Sequence, residues 1–79
     1  MTPDETRAER HGIVVHLDRL LAERELTLTE LASRVGVTLV NLSVLKNNRA
    51  RAIRFSTLDA LCRELDCQPG DILSYCEPL

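Results

Sequence analysis

Leucine and other aliphatic residues recur along this chain at intervals of three and four, the spacing that gathers side chains on one face of an α-helix. The first stripe is Leu17, Leu20 and Leu21, which predicts a helix from about Val14 to Arg24, with Asp18, Arg19, Glu23 and Arg24 off the stripe. Leu28, Leu31, Ala32 and Val35 predict a second helix, and Leu42 and Leu45, preceded by Val37, a third from Leu39 to about Asn47. Leu58, Leu61, Cys62 and Leu65 follow the same rule and predict a fourth. Pro69 suits the first position of a short fifth helix reaching about Leu73.

The residues between the stripes read as caps and turns. Thr27-Leu28-Thr29-Glu30 has the form of a capping box, in which hydroxyl and carboxylate each bond the other's backbone N–H. Gly36 suits the left-handed angle that ends a helix, and Thr38 is a good N-cap for the third. Asn47-Asn48 can close that helix, Ser56 with Asp59 reads as the cap of the fourth, and Asp66 as its end. Ile13-Val14-Val15 and Ile72 to Tyr75 are β-prone, which leaves a short strand pair between the two ends open. Residues 1–12 read as a flexible polar tail, and 13–79 as one domain.

Within that domain, Leu28 to Asn47 forms a helix-turn-helix: two short helices joined by a turn of about three or four residues centred on Gly36. Small Ala32 allows a close helix crossing. Leu31 and Val35 anchor the second helix, and Val37, Leu42 and Leu45 the third. The outer face of the third helix is left to enter a major groove, which is wide enough for an α-helix.

Composition narrows the picture. Seventy-nine residues suffice for one domain with a modest core, so dimerisation would help it. One Phe, one Tyr and no Trp make the core aliphatic and argue against single-strand binding, which needs aromatic stacking platforms. No apolar run approaches the roughly 20 residues of a membrane span, and the N-terminus lacks a signal-peptide core, so the expected location is cytoplasmic. Three cysteines in such a chain argue against a disulfide framework. The net charge is −2, but the distribution is uneven. Leu31 to Leu58 contains Arg34, Lys46, Arg49, Arg51 and Arg54 and no acid, which gives one basic face.

Leu28-Thr29-Glu30-Leu31-Ala32-Ser33-Arg34-Val35-Gly36-Val37-Thr38 resembles the Xre-type helix-turn-helix family of phage repressors and small bacterial regulators. The resemblance extends through Lys46-Asn47-Asn48-Arg49-Ala50-Arg51, Leu58 to Leu65 and Gln68 to Leu73, covering Ile13 to Tyr75. It implies an all-α fold, a compact five-helix phage-repressor-like domain. It further implies a transcription regulator, such as a repressor, that binds double-stranded DNA as a homodimer without a cofactor. By position, Thr38, Leu39, Val40, Asn41, Ser43 and Val44 would face the DNA, with Asn41 the best reader of a base edge, to adenine. Thr38 and Thr29 would approach phosphates, as would Lys46, Asn47, Arg49 and Arg51 at the far end of the third helix. The sequence departs from the family where Asn48 replaces a customary Gly, and where the groove-facing Leu39, Val40 and Val44 are apolar. These three would contact thymine methyls. The alternative is that they form a protein-interaction surface, as in an antitoxin-like module with weakened DNA binding.

The remaining residues point to no further chemistry. His11 and His16 are five apart, as are Cys62 and Cys67, which are not the spacings of a helical metal pair or a C-x-x-C site. Cys62 reads as core and Cys76 as exposed. Glu30 and Asp59 are accounted for as caps, so no catalytic residue, metal site or small-molecule ligand is expected. Arg34 either meets phosphate or pairs with Glu30 one turn back. The candidate dimer surfaces are the acidic first helix and the apolar end, Ile72, Leu73, Tyr75 and Leu79.

Overall fold

A computed structural model describes residues 12–77. The expected tail from Met1 to His11, and Leu79 at the apolar end, lie outside the described residues. In chain order the elements are β1 (Ile13–Val15), α1 (Leu17–Glu23), α2 (Leu28–Val35), α3 (Leu39–Lys46), α4 (Phe55–Leu65), α5 (Pro69–Ile72) and β2 (Leu73–Tyr75). The five expected helices are all present.

The aliphatic stripes meet in one core. Leu17, Leu31, Leu42, Leu61, Leu65 and Ile72 are shielded almost completely, so each of the five helices contributes to it. Val15 and Leu73 from the strands, with Cys62 and Cys67, pack half-buried around its edge. Burial pushes the Cys67 thiol above its ordinary pKa, which makes it a weak nucleophile.

The two ends pair as an antiparallel ribbon with Ile13 opposite Tyr75, Val14 opposite Ser74 and Val15 opposite Leu73. The ladder continues past both strands, where Cys76 N–H donates to the Gly12 carbonyl at 2.7 Å and His16 N–H to the Ile72 carbonyl at 2.8 Å. The first helix therefore starts at Leu17 rather than Val14, because β-branched Val14 and Val15 are drawn into long-range pairing. Gly12 is a second correction. It is buried against the ribbon, and a Cβ there would collide with the Cys76 carbonyl and the Tyr75 ring, so it belongs to the fold and not to a tail.

The caps at the centre of the chain are formed. Glu30 N–H donates to Thr27 Oγ1 and Thr27 N–H to Glu30 Oε1, both at 3.1 Å. The backbone N–H of Thr27, then its hydroxyl, and more weakly Arg34 one turn on, hold the Glu30 carboxyl below the usual pKa. Gly36 ends α2 at φ 76°, and the N–H groups of Gly36 and Val37 both close on the Ala32 carbonyl. Asp66 ends α4 in the same left-handed region, at φ 49°.

The start of α4 differs from expectation. Its N-cap is Arg54, extended and without a side-chain bond, and Ser56 lies inside the first turn. Asp59 accepts from Arg63 at 2.9 Å instead of capping. Asp71 is the residue that caps nearby, accepting from Gln68 N–H at 2.9 Å at the head of α5. Among the candidates for a dimer surface, Ile72 is withdrawn, since the core encloses it completely.

Candidate nucleic-acid interface

The chain bends by 116° between α2 and α3, across the turn from Gly36 to Thr38. Such an angle lets one helix brace another that projects. Leu42 and Leu45 fasten α3 to the core. With about 100° per residue, Val40 and Asn47 then stand opposite those anchors, with Ser43 and Val44 beside them. Val40 is 72% exposed, Leu39 46% and Val44 38%, so α3 is apolar on its outer face as well as its inner one.

The expected contact residues are not all on that outward face. Asn41 lies on the flank of α3, beside a groove shared with Ala50, Ile53, Arg54 and Thr57. Thr38 caps α3, its Oγ1 accepting from Asn41 N–H at 3.1 Å, which leaves the hydroxyl proton available to donate. Asn47 Nδ2 donates to Ser43 Oγ at 3.3 Å, so these two hold one another in place. Thr29 is exposed in the first turn of α2.

The basic residues divide in the same way. Lys46 Nζ is 2.9 Å from Asp18 Oδ1, with its side chain only 24% exposed, so it braces α3 against α1. Arg49, Arg51 and Arg54 are exposed along the segment that follows. Arg49 N–H closes the end of α3 by donating to the Val44 carbonyl at 3.0 Å.

Asn48 is the residue whose role sequence reasoning missed. It takes φ 62°, as the helix-closing reading requires. Its Oδ1 also accepts from Val15 N–H at 2.7 Å, tying the end of α3 to the ribbon. The signal was present as Asn where the family carries Gly, since an amide side chain adds an acceptor that Gly lacks.

These features define a helix-turn-helix with its second helix uncovered on one side. Residues 16–77 match the family of Cro/C1-type HTH DNA-binding domains, and the chain belongs to that family. A relative from Bacillus subtilis (strain 168), named as the uncharacterized HTH-type transcriptional regulator YozG, is 57% identical over 64 residues, covering 81% of this chain and 76% of that protein. The family binds DNA and is not a class of enzyme. Among the described residues, no group of three or more His, Cys, Asp or Glu side chains could hold a metal ion, and no single helix is long and apolar enough to cross a membrane.

Proposed function

We propose that this protein is a sequence-specific transcriptional regulator of the repressor type, working in the cytoplasm as a homodimer, with α3 laid in the major groove of duplex DNA. The observation that carries this reading is the outer face of α3, exposed at Leu39, Val40 and Val44 beside a stretch from Leu31 to Leu58 that contains no acid. Val40, Val44 and Leu39 would meet thymine methyls, while Asn47 and Ser43 on the same face, and Asn41 at its edge, would supply hydrogen bonds to base edges. Thr29 and Thr38 donate to phosphates near the start of the helices. Arg49 and Arg51 meet phosphates at the far end, and Lys46 joins them only by giving up Asp18. The name of the Bacillus subtilis relative supports the regulatory role.

The test is selection of bound duplexes from a random pool, followed by titration at several salt concentrations. The expected result is an enriched palindromic site bound with a steep salt dependence. Replacing both Arg49 and Arg51 with Ala should reduce the slope of log K against log salt by about 2 per subunit, at about 0.9 per phosphate. Binding that ignores salt would contradict the reading.

The same exposed valines favour one other reading, a protein-interaction module of the antitoxin-like kind. Val44→Glu separates the two. It should repel phosphate and abolish DNA binding on the first reading, whereas on the second it abolishes capture of a protein partner by a domain whose DNA binding is already weak or lost.

A further inference from the structure

We propose that Cys62 and Cys67 form a modification site, a dithiol pair that a low-molecular-weight disulfide oxidises to a reversible cross-link at the end of α4. The proposal stands independently of the DNA-binding reading. On an unbroken helix two residues five apart would stand about 140° from one another, at about 100° per residue, and their side chains would not meet. The chain does not continue as a helix here. Asp66 turns it through the left-handed region at φ 49°, and Cys67 N–H comes back to donate to the Cys62 carbonyl at 3.0 Å. In this way of ending a helix, the residue after the left-handed one packs its side chain against the residue five positions before it. Both of those positions are cysteine in this chain.

The two sulfurs therefore lie side by side. Burial first, and then the neighbouring Cys62 thiol, raise the pKa of Cys67. Both thiols are free and half-buried at the edge of the core, so a small reagent reaches them. Cys76 belongs to a different element, where its N–H is held by the Gly12 carbonyl.

The chemistry is two successive exchanges. The Cys62 thiolate attacks one sulfur of the small disulfide, forms a mixed disulfide and expels one small thiolate, which takes up a proton. Cys67 then loses its proton and attacks the Cys62 sulfur, forming the S–S bond within the chain and expelling the second small thiol. Two protein thiols are oxidised and one small disulfide is reduced to two thiols. Cys67 is a weak nucleophile toward free reagents, but its step is intramolecular, and proximity replaces intrinsic reactivity. The cross-link fastens the head of α5, and with it β2, to α4, at a joint already braced from α1 by Arg24 Nε donating to the Leu65 carbonyl.

The test uses the full chain carrying Cys76→Ser, an exposed position, equilibrated with mixtures of glutathione and glutathione disulfide, folded and in urea. After free thiols are blocked, trypsin cuts behind Arg63 and separates residues 55–63, with Cys62, from 64–79, with Cys67. In the folded chain the two peptides should come away joined, lighter by two hydrogens than the reduced pair. The equilibrium constant for the cross-link should be roughly 10-fold or more above its value in urea, because the link removes freedom that only the unfolded chain possesses. The oxidised chain should keep its helical circular dichroism and melt higher than the reduced one. Cys62→Ser and Cys67→Ser should each lose the joined peptides and leave glutathione on the remaining cysteine. Separate peptides from the folded chain, covalent dimers in place of the internal link, equal constants in the folded chain and in urea, or loss of helix on oxidation would each overturn the proposal.

Discussion

At Asn48 the backbone needs the left-handed region and the side chain supplies an acceptor to Val15, and substitution separates the two demands. Asn48→Gly keeps the angle and loses the bond, so it should lower stability by about 0.5–1.5 kcal/mol. Asn48→Ala loses both and should cost about 1–2 kcal/mol more. Gly36 isolates the angle: a Cβ there meets nothing within 4 Å, yet φ is 76°. Gly36→Ala should therefore lower stability by about 1–2 kcal/mol through strain alone, which chemical denaturation would measure as a shifted midpoint at constant slope. Glu30 gives a pH signature. Its folded carboxyl is held below the ordinary glutamate pKa, so its stabilising contribution is present above that ordinary value and is lost as pH falls through the depressed folded value. Glu30→Gln should flatten that part of the acid stability profile, because Gln can still bond the cap but does not titrate. Residues such as Gly36, Thr27 and Asp66 were legible in the sequence because their bonds are local. The bonds of Asn48 to Val15 and Lys46 to Asp18 were not, because both partners lie about thirty positions away (33 and 28).

The elements were legible in proportion to their periodicity. The leucine stripes placed four of the five helices and most of the core, since burial on one face leaves a repeating mark that a single chain displays, and Pro69 marked the fifth. Three-residue strands leave no such mark. Ile13 to Val15 could extend a helix or pair as a strand, and only the partner at Leu73 to Tyr75 decides between them. The head of α4 was misread because Ser56 is a good cap by residue type, while the chain from Arg54 turns helical two residues sooner, with Leu58 N–H closing on the Arg54 carbonyl at 3.0 Å. For the interface, α3 was found as an element, but its two apolar sides differ: Leu42 and Leu45 hold it down, and Val40 and Val44 stay exposed. Truncating a core anchor and an outward valine should thus have opposite readouts. Leu42→Ala should destabilise the fold by about 2–5 kcal/mol. Val40→Ala should leave the melting temperature nearly unchanged and weaken only the preferred site, by about 1–3 kcal/mol if it contacts a thymine methyl.

For the molecule as a whole, charge segregation carries more information than the net value of −2. The acid-free stretch covers most of the helix-turn-helix and the loop beyond it, while Asp18, Glu23 and Glu25 sit on or beside α1. On the DNA-binding reading the acid-free stretch attracts a duplex, while Asp18, 2.9 Å from Lys46 of α3, offsets that one cation. Raising the ionic strength should slow association much more than dissociation of mutants that keep α3 intact, a difference that stopped-flow mixing would resolve.

The ribbon that joins Ile13 to Tyr75 also has a topological consequence. It brings two distant stretches of the chain to one spot, where Gly12 and Cys76 share a hydrogen bond. A ribosome releases the amino end first, so β1 must wait until β2 has been made before it finds its mate. The helices around Leu31 and Leu61 can assemble in the meantime, but the clasp closes only after Leu73 to Tyr75 have emerged. The same closeness makes the domain a natural ring. A short peptide linking residue 77 back to residue 12 would span little distance, and new ends could be opened between α1 and α2, near Glu25, without crossing the core. Such a permuted chain should fold to the same helices, with its ribbon now a local hairpin that closes as soon as β1 follows β2.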